Sequence, residues 1–238
     1  PPGQSQRPDI ALFNAERVDL ALNRLHHYTG TRAEHFQRFV LFTNYQRYVD
    51  EFTAFARAAV GSDGYASFVE PEPGVEASRA SGSSRPILPQ MPAYHLTRPD
   101  REGITLVNIG VGPSNAKTIT DHLAVLRPHC WIMMGHCGGL RRSQLLGDYV
   151  LAHAYIREDH VLDQDLPVWV PVPPIAEIQV ALQQAVERIT GLKGAELKLR
   201  MRTGTVATTD NRNWELRYSE LYERFSQSRA IAVDMESA

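Results

Sequence analysis

"GITLVNIGVGPSNAKTITDHLAVLR" (residues 103–127) is the stretch on which the fold reading turns. Its first half is apolar and β-branched and ends in glycines, as a buried strand does. Its second half places Ile119, Leu123 and Leu126 on one helical face, and Ser114 or Asn115 is suited to cap that helix. Strand, glycine turn and helix make half of a βαβ unit. The pattern then recurs: "CWIMMGHCGGL" (130–140) is a strand running into glycines, and "GDYVLAHAYIRED" (147–159) is a strand pair or one long strand. "PPIAEIQVALQQAVERIT" (173–190) is a helix with Pro before it and Gly191 after it. "LRMRTGTVATTD" (199–210) and "AIAVDMESA" (230–238) are further strands.

Upstream, 9–30 and 46–60 carry helical spacing, with the short apolar run "RFVLFTNY" (38–45) between them as a strand. Residues 61–92 read as an irregular loop or excursion, with five prolines in 70–92. Apolar strands ending in glycine and joined by helices predict an α/β fold: a mixed, mostly parallel sheet with helices on both faces. Ligands of such sheets sit beyond the carboxyl ends of the strands, where the glycine turns, Asp210 and Glu236 all fall.

Composition sets limits. The chain has 238 residues, 43% hydrophobic and 22% charged, with a formal charge of −2. That balance argues against a nucleic-acid partner, which calls for a basic surface. No apolar run is long enough for a membrane span. Two cysteines, Cys130 and Cys137, suit a reduced, cytoplasmic protein.

Four motifs are candidates for chemistry. In "GVGPSN" (110–115), Gly110 and Gly112 allow close backbone approach, and the helix start that follows, with Pro113 and Ser114 in it, offers its free N–H groups to an anion. It is neither a Walker loop nor a full dinucleotide fingerprint, because Asn115 stands where a third glycine would; the bland alternative is a tight turn. In "GHCGGL" (135–140), His136 is either a ligand-facing side chain or a satisfied core histidine, and Cys137 reads as a packing residue. In "TTDNRNWE" (208–215), Asp210 is a site residue or a helix cap, and Trp214 stacks on a base or belongs to the core. In "AVDMESA" (232–238), Asp234 and Glu236 share a side if the strand continues, with Met235 opposite. Unpaired buried carboxylates are costly, so these acids point to a ligand such as a pair of ribose hydroxyls.

Together "GVGPSNA", "GHCGGL…GD" and "VDMESA" resemble the nucleoside phosphorylase and nucleosidase superfamily. "HYTGTRAEHFQRFVLFTNYQRYVDEF" and "RTGTVATTDNRNWELRYS" extend the resemblance to its bacterial AMP nucleosidases, over most of the chain outside 61–92. The resemblance implies a catalytic domain over 1–238 that hydrolyses the N-glycosidic bond of AMP. It implies a homohexamer, no required cofactor or metal, activation by ATP and inhibition by phosphate. It further implies a regulatory N-terminal domain that is not in this sequence, and a C-terminus left incomplete at Ala238.

On that pattern Glu236 holds the ribose hydroxyls and Met235 packs under the sugar. Asp210 and Trp214 lie near the base, Arg47 with the glycine turn serves the ribose phosphate, and Asn44 is a substrate-binding candidate standing near where the related methylthioadenosine nucleosidase has a glutamate. A general-acid Asp is expected beyond Ala238. Related hexameric phosphorylases clamp the attacking phosphate with an Arg and a Ser; the matching positions here are Met133 and His136. Loss of that bidentate clamp favours water as the nucleophile. The competing readings are a nucleoside phosphorylase and an inactive module that binds AMP or ATP.

Overall fold

A computed structural model describes residues 15–72 and 88–238. They divide into two compact units. Unit 1 comprises the residues up to Gly110 together with Asn115–Gly135; unit 2 comprises Val111–Ser114 and His136–Ala238.

Unit 1 is built on a five-stranded sheet. In chain order its elements are α1 (Ala15–Thr29), β1 (Phe39–Thr43), α2 (Gln46–Ala59), β2 (Ser67–Val69), β3 (Ala93–Thr97), β4 (Ile104–Asn108), most of α3 (Pro113–Leu123) and β5 (Cys130–Met134). The spatial order is β2-β3-β4-β1-β5. β1 pairs in parallel with β4 and β5, while β2 and β3 add on antiparallel.

Alternation along the central strands separates two cores. Val40, Phe42, Val107 and Ile109 face Leu25 of α1 and Ile119 and Leu123 of α3. Leu41, Leu106 and Tyr94 pack with Val49 and Phe52 of α2. Helices therefore cover both faces of this sheet, and the period-2 strands dictate which helix meets which residues.

The expected elements at 38–45, 46–60, 103–112 and 113–127 are present. The expected helix at 9–30 is seen as Ala15–Thr29; its first residues, and residues 73–87 of the 61–92 excursion, lie outside the described residues. Two strands were not expected, β2 and β3. β3 hides because its centre is His95, a polar residue in a fully buried position. His95 Nδ1 bonds Thr105 Oγ1 (2.9 Å) and Nε2 bonds Thr31 Oγ1 (2.9 Å). Two hydroxyls, each able to donate or accept, satisfy a neutral imidazole completely.

Unit 2 is built on a four-stranded sheet. Its elements are β6 (Gly138–Gly139), β7 (Tyr149–Glu158), α4 (Ala176–Thr190), α5 (Gly194–Arg200), β8 (Met201–Thr209), α6 (Tyr218–Gln227) and β9 (Ala232–Asp234). The order is β6-β9-β8-β7, with β7, β8 and β9 parallel and β6 antiparallel. α6 sets Leu221 and Phe225 against Ala207 and Val233. α4 stops where the sequence says: Gly191 takes φ +72 and returns its N–H to Glu187 O at 2.9 Å. Mixed α/β pairing, parallel at its centre, is what the sequence implied; the strands are shared between two sheets.

Burial holds the His95 pKa down, from 6.5 to about 3, with His35 adding to the effect. The native state thus binds fewer protons than the unfolded chain between those values, and stability rises with pH there. Urea unfolding should show the His95 contribution in full above pH 6.5 and losing roughly 4–5 kcal/mol on acidification towards pH 3. In His95→Gln, which keeps a donor and an acceptor, that part of the slope should vanish; an unchanged slope would refute the assignment.

Candidate active site

The expected acids sit at the end of β9 and just after it, in unit 2. β8 and β9 run parallel with Thr208 opposite Asp234, so both strands deliver their last residues to one edge. The strand stops at Asp234, and Met235–Glu236 bend away. Asp234 and Glu236 therefore do not share a strand face, as a continuing strand would require. They take different partners.

Asp234 is bound from its own sheet. Thr208 Oγ1 donates to Asp234 Oδ1 at 2.7 Å. Ser237 and the backbone N–H groups of Glu236 and Ser237 also serve this carboxylate. Burial nevertheless raises its pKa above the ordinary aspartate value, the hydrogen bonds pulling the other way. Asp234 in turn adds to the upward push of burial on Cys137 and Tyr155. The Cys137 thiol is thus further from thiolate than a free cysteine, which argues against a nucleophile, but the residue is exposed and is not the packing residue expected from sequence.

Glu236 is only 7% exposed. The backbone N–H of Gly112 donates to its Oε1 at 2.7 Å. Gly112 has φ +117, a region that disfavours any side chain, and Gly110 has φ +69. The turn that delivers this donor is therefore available to glycine and to little else. Pro113 and Ser114 form the first turn of α3, so neither Ser114 nor Asn115 is the cap expected from sequence. Proline at the first helical position displaces the cap to Gly112, whose N–H goes to Glu236.

Other expected site residues of unit 2 fall around the same strand ends. Met235 follows β9 directly and is half-buried. His136 is exposed, which removes the core-histidine alternative. Asp210 follows β8 and is exposed; it is not a helix cap, because Thr209 and Asn211 side chains take the N–H groups of Asn211 and Asn213 (3.2 and 3.0 Å). Trp214 packs with Phe225 edge to face at 6.0 Å. A Cβ on Gly138 would lie 2.9 Å from its ring. Trp214 is thus a wall of the α6 core, the alternative left open by its sequence.

In unit 1, Asn44 and Arg47 lie between β1 and the first turn of α2. Arg47 is exposed, and Asn44 lies against Gly135, whose added Cβ would be 3.3 Å from Asn44 Oδ1. Gly110 and Asn115 flank the start of α3, and the Gly110 N–H is received by Asn108 Oδ1 at 3.2 Å. Met133 packs in the core shared by α1 and α3. Sequence reasoning undervalued Thr208 and Asp234; the signal available was a hydroxyl run, Thr208-Thr209, ending an apolar strand beside a second strand ending in acid.

Residues 82–238 match the phosphorylase superfamily, and that span contains both the glycine turn and the Asp234–Glu236 bend. The chain belongs to this superfamily. It is 57% identical over 245 residues to the AMP nucleosidase of Escherichia coli (strain K12), an alignment covering 96% of this chain and 49% of the relative. The chain therefore spans about half the length of the curated relatives it matches.

Among solved structures it is similar to AMP nucleosidase from Bacteroides thetaiotaomicron VPI-5482. The TM-score is 0.69 at 28% identity, over 92% of this chain and 80% of the other. It shares the fold of purine nucleoside phosphorylase from Toxoplasma gondii, with a TM-score of 0.62 at 19% identity, over 88% and 73% of the two chains. Uridine phosphorylase from Vibrio fischeri ES114 shares it too, with a TM-score of 0.60 at 12% identity, over 85% and 71%. Asn44 and Arg47 precede the span that matches the superfamily. The superfamily match thus speaks to the glycine turn and the β9 bend, and not to those two residues.

Thr208→Val should expose the cost of the buried Asp234 charge. Losing the 2.7 Å donor should lower stability at neutral pH by about 1–3 kcal/mol, read from urea midpoints. The loss should shrink in acid, where a protonated Asp234 no longer needs that donor; a neutral effect at pH 7 would contradict the role given to Thr208.

Proposed function

We propose that this chain carries the hydrolytic centre of an AMP nucleosidase, adding water across the N-glycosidic bond of AMP to give adenine and ribose 5-phosphate. The observation that carries the reading is Glu236, buried at a strand end and fixed through one oxygen by Gly112. A carboxylate only accepts hydrogen bonds, and the two vicinal ribose hydroxyls are both donors. As the bond from C1′ to N9 breaks, positive charge grows on the sugar. A fixed negative charge and hydrogen bonds that strengthen with that charge lower the barrier more than they tighten ground-state binding.

Met235, next to Glu236, is suited to pack under the sugar. The first turn of α3, from Ser114 on, presents backbone N–H groups to a phosphate. In unit 1, Arg47 lies in the first turn of α2, also a favourable place for an anion, and supports a phosphate-bearing substrate. Met133, packed among apolar side chains, is no phosphate clamp, which supports water over phosphate as nucleophile. The departing adenine needs a proton, and the reading places its acid, an Asp, on chain following Ala238 in the full-length enzyme.

ATP activation, phosphate inhibition, a cytoplasmic location and a place in purine salvage and adenylate-pool control belong to the same proposal. So does assembly as a homohexamer. Leu145, Leu146, Val168 and Trp169 of unit 2 stand in solvent, and exposed apolar side chains in such number favour association. Light scattering should give a mass several times the 26.7 kDa of the chain; a monomer at assay concentration would refute the assembly.

Incubation of the full-length enzyme with AMP in phosphate-free buffer should yield adenine and ribose 5-phosphate by chromatography. Release that requires inorganic phosphate and forms ribose 1,5-bisphosphate would establish a phosphorylase. Binding of AMP without release would establish an inactive module. Glu236→Gln keeps the size and the Gly112 contact but removes the charge. It should lower kcat by about 100-fold or more with little change in the urea midpoint.

A further inference from the structure

A second concavity lies at the opposite end of the unit 2 strands. Its volume is about 390 Å³, and its walls come from the loop after β6, from α5, and from the amino ends of β8 and β9. Arg202 lies six residues before Thr208 on β8, about 20 Å along an extended strand. The cavity is therefore distinct from the carboxyl-end group of Asp234 and Glu236.

Three cations converge on it: Arg141 from the loop, Lys198 from α5 and Arg202 from β8. None of its lining residues is acidic. The acid nearest in sequence to the loop, Asp148, is already committed. It accepts from Arg200 Nη1 at 2.7 Å and from the Leu145 N–H at 2.9 Å. Arg202 is held in place by its Nη2, which donates to Ser143 O at 2.8 Å. Its Nε is buried and has no hydrogen-bond partner among the described residues. A buried guanidinium donor without an acceptor is unusual and costly, and like charges gathered without a counter-charge repel. The Ser143 and Thr203 hydroxyls add neutral donors to the same wall.

From this convergence we infer that the cavity binds a small oligophosphate, its oxygens bridging Arg141, Lys198 and Arg202. An anion of several charges supplies what three cations and an unpartnered donor lack, and the planar guanidinium suits phosphoryl oxygens. The volume accommodates a chain of phosphoryl groups. The inference does not depend on the hydrolase reading, because none of these residues takes part in it.

Calorimetric titration of the 238-residue chain with inorganic tripolyphosphate tests it. Binding should be measurable at low salt and weaken as salt rises. Arg141 and Lys198 are exposed, so the double variant Arg141→Gln, Lys198→Gln should keep the wild-type urea midpoint while affinity falls about tenfold or more. Arg202→Lys, which keeps the charge but not the fork, should also weaken binding. Glu236→Gln and Arg47→Gln should bind as wild type does. Absence of binding to wild type, equal affinity in the double variant, or a loss of equal size in Arg47→Gln would overturn the proposal. A parallel titration with adenosine triphosphate separates the two sources of the phosphate chain. Weakening by the double variant in that arm as well supports a nucleotide source, and weakening confined to tripolyphosphate supports a free one.

Discussion

A carboxylate taken out of water must find donors, and the Glu236 side chain finds one in the backbone of Gly112, 124 residues away in sequence. That single constraint explains much of unit 2. It requires a turn whose N–H points outward, hence glycine at φ +117. It requires a chain that leaves β9 after Asp234 and bends, so that Glu236 reaches across to the turn. It requires β9 to be anchored, and the Thr208–Asp234 bond does so at the last residue of the strand.

Two acids two residues apart are thus divided between two tasks. Asp234 is consumed by Thr208, Ser237 and the local backbone, and burial still favours its protonation. Glu236 receives the Gly112 N–H from the glycine turn and is the acid the proposed reading assigns to the sugar. Partition of this kind comes from the supply of donors around each group, because aspartate and glutamate differ little in intrinsic chemistry.

The same unit presents opposite characters at its two strand ends: acids at the carboxyl ends of β8 and β9, cations at the amino ends. Parallel strands make this separation inevitable once the residues are chosen, because all the amino ends lie together. In unit 1 the polar investment is internal. His95 and two threonines satisfy one another inside the sheet, a network that fixes β3 in register without facing any ligand.

How far the sequence reached follows from the range of each interaction. The strand–glycine–helix stretch at 103–127, the Gly191 stop of α4 and the acid-bearing end of β9 are local: periodicity, special backbone angles and caps depend on neighbours within a few residues. Those features, and the resemblance they carried, were legible. β3 was not, because His95 looks out of place until Thr31 and Thr105 stand beside it. Trp214 could not be sorted between ligand and core until Phe225 and Gly138 were seen against it, and the partner of the Gly112 N–H lies more than 120 positions away. The sequence by itself determined the strands and helices whose patterns are local, β2 and β3 excepted, and that acids end an apolar strand, since those follow from local sterics and burial. Only the tertiary structure decided that the strands divide between two sheets and which donor each acid receives, since strand pairing and hydrogen bonds join residues far apart in the chain.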